Sequence, residues 1–209
     1  MKRFIVCIAV AALLPLPLAA QQADDYGAML SYLNHTRLDG SALRNADGAI
    51  TVNMVAGDLN QQANLLGMAS GETATTSINV RQRQAGNRIN SGPLDASASI
   101  GGQALNGASG VAMINQASGI GNATVNVVTS TLAQQGIRES DDEALAASGA
   151  LASAGGQDLA NSRKAAGSRS VAVEDTALRG FDGVLQLNQI AGSGNVTANQ
   201  LGISVQSTP

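Results

Sequence analysis

Residues 104–126, which read ALNGASGVAMINQASGIGNATVN, decide the fold of this chain. The segment that follows Gly110 is apolar and partly β-branched, which favours a β-strand. Gly119 and Asn122 come next, and both residue types tolerate the left-handed backbone of a tight turn. A second short run of small and β-branched residues then extends to Asn126. The stretch is therefore predicted to form a strand, a turn and a second strand.

The same pattern occurs three times without a gap, at residues 42–64, 104–126 and 177–199. Written once, it is A-L-x4-G-x3-[VIL]-N-x2-[AS]-G-x2-N-x3-N. The copies begin 62 and then 73 residues apart, so long spacers separate them. Repeats in register predict stacked layers, because each copy can bury its faces only against a neighbour. Stacking within one chain and stacking between chains both satisfy the pattern.

The shared polar positions predict columns in such a stack. Amides in register can donate to one neighbouring copy and accept from the other, as in cross-β assemblies. The second strand is expected to carry two amides on one face, since side chains two or four residues apart point the same way. The predicted ladder contains Asn53, Asn115 and Asn188 in one column, Asn60, Asn122 and Asn195 in a second, and Asn64, Asn126 and Asn199 in a third, with Gly57, Gly119 and Gly192 at the turns.

The predicted fold class is mainly β, with strand-turn-strand repeats that stack as a β-solenoid or as cross-β layers. Ala/Gly/Ser-rich linkers and short helices would connect these layers. The expected boundaries are a signal peptide at 1–20, an N-terminal segment at 21–40, repeats at 41–66, 103–128 and 176–205, and spacers at 67–102 and 129–175.

The segments outside the repeats contain weaker signals. Residues 73–81 are strand-like and residues 84–90 resemble a degenerate turn, so the first spacer is expected to add a partial coil. Residues 140–147 carry a capping-box signature within a Gly-rich spacer, which leaves a short helix and a flexible linker as alternatives. Ahead of the first repeat, four apolar residues at helical spacing allow an amphipathic turn or a mobile terminus. They are Tyr26, Met29, Leu30 and Leu33.

The first 20 residues predict a secretory signal peptide. Lys2 and Arg3 precede an apolar run at 4–18, and small residues follow it. The run is too short for a good membrane span, and prolines interrupt it. Cleavage after Ala20 would release a secreted chain, which passes the periplasm and ends at the cell surface or in an extracellular fibre. Cys7 is the only cysteine and lies in the signal, so no disulfide is expected afterwards.

The composition excludes several classes of function. The formal net charge is -3, and the signal removes two basic residues, which argues against nucleic acid or anionic lipid as a partner. Aromatic residues make up 2% of the chain and Trp is absent, so a conventional core is poorly supplied. Abundant Gly, Ala, Ser and Asn suit layers that are held by small side chains and amides.

The sequence contains no catalytic, cofactor-binding or metal-binding constellation. His35 is the only histidine, and Lys164 is the only lysine beyond the signal. Because the only cysteine lies in the signal, a catalytic Cys/His pair and a Cys/His metal site are excluded beyond it, and a Ser/His/Asp triad is not expected. The acidic residues cluster in runs such as 141–143, which are expected to be solvated. We expect a protein that is not an enzyme, needs no cofactor and has no small-molecule substrate.

The stretch QASGIGNATVN at 116–126 resembles the repeats of bacterial functional amyloid subunits. Its succession of Gln, Gly and Asn is similar to that of curlin repeats, which are strand-turn-strand units. Three imperfect repeats with long Ala/Gly/Ser-rich linkers are similar to the Fap group of Pseudomonas-type bacteria and to related secreted adhesins. The resemblance implies extracellular fibres that serve adhesion and biofilm formation, with export through an outer-membrane pore.

The resemblance leaves two roles open. In the first, the chain is a structural component that associates with itself or with related fibre subunits, as a major subunit, a minor subunit or a nucleator. In the second, it is a periplasmic or surface accessory or chaperone that binds fibre subunits by adding strands at a shared edge. The chain has no Cys-x-x-Cys of the kind associated with major Fap subunits, which keeps a minor role open.

Overall fold

The computed structural model describes residues 33–84, 94–137 and 167–206. These residues form nine β-strands and no helix, which confirms the mainly β fold class. The strands make three sheets of three parallel strands each. Sheet A contains β1 (Leu33–Leu38), β4 (Asp95–Ile100) and β7 (Arg169–Val173); sheet B contains β2 (Asp47–Ala56), β5 (Ser109–Ser118) and β8 (Asp182–Ala191); sheet C contains β3 (Gln61–Ala74), β6 (Ala123–Ile137) and β9 (Val196–Gln206).

Each passage of the chain through the three sheets makes one layer. Layer 1 contains β1, β2 and β3, layer 2 contains β4, β5 and β6, and layer 3 contains β7, β8 and β9. Layers 1 and 2 pair with an offset of 62 residues, and layers 2 and 3 with an offset of 73, apart from a shift in β3 after Gly71. These offsets equal the spacing of the sequence repeats. Equivalent residues therefore lie above one another, and the layers stack within one chain.

The structural layer is longer than the sequence motif. Sheet A precedes the motif in every copy, in segments that the sequence analysis assigned to the N-terminal segment and the spacers. Its register follows the same offsets, so that His35 aligns with Ser97 and Ser170. Alanine and serine alternate along β4, and the alanines face inward: Ala96 and Ala98 have 2% and 1% of their surface exposed.

Sheet B lies in the middle, between sheet A on one face and sheet C on the other. Part of the interface between sheets A and B is apolar, with Ile50, Ile100, Leu105 and Ile114 in one buried cluster. The interface between sheets B and C is lined by amides, which are described below. Apolar burial contributes roughly 25 cal/mol per Å², so many small contacts can replace the missing aromatic core.

Two turns join the strands of each layer. Leu105, in the turn between β4 and β5, has φ of 60°, a strained value for leucine, and its fully buried side chain offsets this strain. The turn between sheets B and C is the Gly/Asn turn of the motif. Its glycines have φ of 100° at Gly57, 129° at Gly119 and 145° at Gly192, values that only glycine adopts readily.

Residues 75–84 cover the outer face of sheet C. Ile78 and Val80 pack there against apolar residues of layers 1 and 2, including Leu65 and Val125. The strand predicted at 73–81 ends at residue 74, so the prediction was wrong for the remainder, where residues 75–83 form no strand ladder. Glutamine side chains hold the segment instead.

Those glutamines bind backbone carbonyl groups of two layers. Gln84 Nε2 donates to Leu59 O at 2.9 Å and to Asn122 O at 3.1 Å. Gln82 Nε2 donates to Thr124 O at 3.2 Å. The segment therefore ties layer 1 to layer 2 without adding a strand.

Several predictions lie outside the described residues. They are the signal peptide at 1–20, the degenerate turn over 85–90 and the capping box at 140–147. The amphipathic turn ahead of the first repeat also lies outside, except for Leu33, which begins strand β1.

Candidate functional site, the asparagine ladder

Asparagine side chains fill the interface between sheets B and C. In the middle layer, Asn115 and Asn126 are fully buried, so protein atoms must satisfy their amides. The column on sheet B faces the column on sheet C, and each contains one asparagine from every layer. The two columns are Asn53, Asn115 and Asn188 on sheet B, and Asn64, Asn126 and Asn199 on sheet C.

The two columns are joined in one zigzag of hydrogen bonds. Asn115 Nδ2 donates to Asn64 Oδ1 at 2.9 Å, and Asn126 Nδ2 donates to Asn115 Oδ1 at 3.0 Å. Asn188 Nδ2 continues to Asn126 Oδ1 at 2.9 Å, and Asn199 Nδ2 to Asn188 Oδ1 at 3.0 Å. Bonds also run straight along each column. The sequence predicted separate columns and gave no sign of the cross-links between them.

The third predicted column, Asn60, Asn122 and Asn195, lies in the turn. Each second strand begins one residue later, so the prediction that two amides share a face of that strand was wrong. Asn60 Nδ2 donates to Gly57 O at 3.1 Å and to Gly119 O at 2.8 Å, which holds the side chain against the turn. Asn60 Oδ1 accepts from the backbone N and from Nδ2 of Asn122, both at 2.9 Å. The column therefore links turns, not strands.

The turn glycines are required by space as well as by conformation. A Cβ on Gly57 would collide with the carbonyl oxygen of Gly119, and a Cβ on Gly119 with that of Gly192. On Gly192 the nearest atom would be Asn195 Nδ2 at 3.3 Å, because no further layer lies beyond it among the described residues. Turns can stack at the spacing of paired strands only where this position has no side chain.

Sequence reasoning missed a second set of polar contacts, between sheets A and B. Thr36 Oγ1 lies 2.9 Å from Ser118 Oγ, and both residues are buried. Ser118 Oγ donates to Ser97 O of sheet A at 2.6 Å. Within sheet A itself, His35 Nδ1 lies 2.6 Å from Ser97 Oγ of the next layer. The sequence did contain a signal for sheet A. The offset of 62 residues between the first two repeats also aligns the segments ahead of them, which form β1 and β4.

The chemistry of the site is that of directed amide hydrogen bonds. Within the described residues, no group of three or more His, Cys, Asp or Glu side chains could hold a metal ion. In the same part of the chain, no helix has the length and hydrophobicity needed to cross a membrane. What the arrangement provides is a set of donors and acceptors that repeats from layer to layer.

Comparison with known proteins gives a family match over most of the chain. The sequence model described as the functional amyloid protein FapB/FapC family matches residues 18–206. The chain is 34% identical over 176 residues to the functional amyloid subunit FapC of Pseudomonas aeruginosa strain PAO1. That alignment covers 81% of this chain and 46% of the relative, so the chain spans less than half of the relative's length. No solved structure matches the chain.

Proposed function

This chain belongs to the functional amyloid FapB/FapC family, and we propose that it is a secreted structural subunit of extracellular amyloid-like fibres. In such a fibre, copies of the chain stack in the same parallel register as its own three layers. The fibre would serve adhesion and biofilm formation, and the subunit would leave the cell through an outer-membrane pore. The observation that carries the proposal is the in-register stack, whose end strands have an edge without a partner among the described residues.

The open ends of the stack have the properties of a template for another copy. Each sheet contains only three strands, so layers 1 and 3 each present three strand edges without a partner in the described chain. Strands β3 and β9 have 14 and 11 residues, long for edge strands. Soluble proteins usually shorten or block such edges, because free N–H and C=O groups recruit further strands. Long open edges at both ends favour continued stacking.

The relative supports the same proposal. It is described as a functional amyloid subunit, and the alignment to it covers 81% of this chain. Stacked amides at the B–C interface would continue from copy to copy, which is the arrangement that stabilises cross-β fibres. A structural role also agrees with the chemistry of the interior, which consists of amides, hydroxyls and small apolar groups.

Fibre formation by the purified protein tests the proposal. We expect thioflavin-positive fibres with reflections at about 4.7–4.8 Å and about 10 Å, the spacings of paired strands and of packed sheets. Because one chain supplies three layers, one copy should occupy about 14 Å of a single protofilament, three strand spacings. Mass per length from electron microscopy measures this value.

Three results would contradict the proposal. Protein that stays monomeric and soluble through days of incubation would rule out a fibre subunit. A chain that forms no fibre but delays the assembly of a related subunit at substoichiometric ratio would be an accessory or chaperone instead. A mass per length of one chain per about 4.8 Å would reject stacking of intact three-layer units.

A further inference from the structure

The three sheets are staggered along the stack, and the stagger makes its two ends different. In sheet A, β1 contacts both β2 and β5, and β4 contacts both β5 and β8. In sheet C, β3 contacts β2 and β5, and β6 contacts β5 and β8. Each strand of the outer sheets therefore lies at a height between two strands of sheet B. The shift is about half of the 4.7–4.9 Å strand spacing.

This stagger leaves a groove at one end and a ridge at the other. At the layer-3 end, β7 and β9 make their main inter-sheet contacts with β8 and extend beyond it. The space over β8 between these strands is the layer-3 groove. At the layer-1 end, β2 extends beyond β1 and β3 and forms the layer-1 ridge. A cavity of about 490 Å³ opens in the groove, lined by residues 184–187 of β8 and 199–201 of β9.

The asparagine zigzag has a direction along the same axis. At every step the amide nitrogen of one asparagine donates to the amide oxygen of the asparagine nearer the layer-1 end. Backbone contacts fix which amide atom is nitrogen, because a carbonyl oxygen only accepts hydrogen bonds. Asn126 Nδ2 donates to Ile114 O at 3.1 Å, and Asn199 Nδ2 to Leu187 O at 3.2 Å. The direction therefore does not depend on an arbitrary amide orientation.

Asn115 and Asn188 show which hydrogen-bond acceptors the equivalent amide of layer 1, Asn53, lacks. The two N–H groups of Asn115 Nδ2 serve three acceptors, so one hydrogen is shared: Asn53 Oδ1, Ala63 O and Asn64 Oδ1 at 3.1, 3.0 and 2.9 Å. Asn188 Nδ2 makes the equivalent three bonds one layer later. Asn53 Nδ2, at the exposed end, has no hydrogen bond to another described residue. Its two successors in the column indicate which three acceptors it would take.

We propose that the fibre is polar, with the layer-1 ridge of each copy seated in the layer-3 groove of the copy before it. Asn53 Nδ2 then donates to Asn188 Oδ1, Ala198 O and Asn199 Oδ1 of that copy. This proposal rests on the proposed function and names the partner surface, a second copy of the chain. If two layer-1 ends met, two ridges and two sets of donors would face each other. If two layer-3 ends met, two grooves and two sets of acceptors would face each other.

The substitution Asn53→Asp blocks the ridge selectively. It keeps Asn53 Oδ1, which accepts from Asn64 and Asn115 at 3.1 Å, so the internal bonds remain. It removes the free donor and places a carboxylate against three acceptor oxygens of the neighbouring copy. The matched control is Asn79→Asp, the same chemical change at an exposed residue of the segment that covers sheet C.

A second variant blocks the same end by shape instead of charge. A Cβ on Gly110 would collide with the carbonyl oxygen of Gly48, one layer below. A Cβ on Gly48 meets no atom within 4 Å in the chain, although the φ of 96° strains any other residue there. In the fibre this Cβ would also collide with Gly183 of the preceding copy. Gly48→Ala therefore tests the junction independently, and circular dichroism checks that each variant keeps the β-structure of the wild type.

Capping of labelled fibre seeds is the deciding experiment. A variant copy can add its intact groove to the layer-1 end of a wild-type seed, and its own blocked ridge then stops that end. Seeds are incubated with Asn53→Asp or Gly48→Ala, washed, and extended with wild-type protein in a second colour under a fluorescence microscope. We expect growth to fall about tenfold or more at one end and to continue at the other, because unpaired buried acceptors are costly.

The outcomes separate this proposal from the proposed function. Seeds treated with Asn79→Asp should grow as untreated seeds do. Unchanged growth at both ends after both blocking variants, or loss of growth at both ends, would overturn the polar junction. If the wild-type protein forms no seeds at all, the fibre function itself fails.

Discussion

Layer 2 and the outer layers carry the same motif in different surroundings. Asn115 and Asn122 are fully buried between two other layers, whereas Asn53 and Asn195 occupy the same columns at the ends and are exposed. A buried amide that loses its partner stays unpaired, while an exposed amide can bind water. Position along the stack therefore sets the energetic importance of a residue as much as its type does.

The apolar columns show the same contrast. Ala98 and Ile100 of layer 2 are 1% and 0% exposed, whereas Val171 and Val173 of layer 3, in the same columns, are 50% and 40% exposed. Ile100 is larger than Val173 and is still fully buried, so the missing neighbouring layer, not side-chain size, accounts for the difference. The next copy in the proposed fibre would bury them, and an outer layer would then resemble layer 2.

Asn115→Leu should produce the largest effect. The substitution removes three donated and two accepted hydrogen bonds. We expect the free energy of unfolding to fall by about 3–5 kcal/mol. Each hydrogen bond contributes about 1 kcal/mol, and the buried groups that were bonded to Asn115 are left without a partner. Guanidinium denaturation followed by circular dichroism measures the loss.

Asn53→Leu is the matched change in an outer layer. Its expected cost is about 1 kcal/mol, because water replaces much of what the exposed amide loses. Equal costs at positions 53 and 115 would show that burial in the stack does not set the contribution of the ladder.

The double variant Asn115→Leu with Asn122→Leu should slow or abolish fibre assembly, and unchanged assembly kinetics would mean that these columns do not hold the layers together.

Gly119→Ala and Gly192→Ala isolate the effect of a neighbouring layer. Both positions have strongly positive φ, so the backbone strain is similar. Only the methyl group at 119 meets a carbonyl oxygen of the next layer. We expect Gly119→Ala to be less stable than Gly192→Ala by about 1–3 kcal/mol, the usual cost of overpacking. Identical midpoints in thermal or chemical denaturation would contradict a steric origin.

Thr124→Val should stabilise the chain. Thr124 is fully buried, and its Oγ1 has no hydrogen-bond partner among the described residues. Replacing the hydroxyl by a methyl group of similar size removes an unsatisfied group, and we expect a gain of about 1 kcal/mol. Thr197 is in the same column of layer 3, and its Oγ1 is also buried without a partner among the described residues. Thr197→Val should give a smaller gain, since the residue as a whole is only partly buried and the added methyl group is less well covered. Denaturation midpoints of both variants test the order.

Asp182→Ser should produce the smallest effect, on the rate of assembly. Asp47, Ser109 and Asp182 share a column, so like charges are separated by a neutral residue within the chain. At the proposed junction, Asp182 would lie against Asp47 of the next copy. We expect elongation to become about two- to threefold faster at low salt and equal to wild type near 1 M salt, where the screening length is about 3 Å.

Asp58→Ser is the control for that charge effect. It changes the net charge by the same amount, but Asp58 shares its column with Ile120 and Ser193 and would meet no acidic residue at the junction. A salt-dependent acceleration of the same size in both variants would assign the effect to net charge instead of to the junction. Thioflavin kinetics with a fixed amount of seeds provide the rates.

The strand-turn-strand unit and the residues of the ladder could be predicted from the sequence, because the spacing of Asn and Gly is the same in all three copies. The location of Asn60 in the turn could not, since its side chain is held by carbonyl groups of Gly57 and of Gly119, one of them in another layer. The segment at 75–84 misled the prediction for a similar reason. Its apolar residues look like a strand but pack as a cover.

The sequence by itself determined that the repeats are strand-turn-strand units, that stacked copies would lie in register, and which asparagines and glycines of the motif would share a column. Local rules suffice for this, because glycine alone fits the turns and equivalent residues must align when spacing is constant. Only the tertiary structure decided that the strands of sheet B are staggered against those of sheets A and C. It also decided that two asparagine columns join into one directed zigzag, and that the two ends of the stack differ. These features depend on how side chains of different sheets fit between one another, and no spacing within a single repeat records that fit.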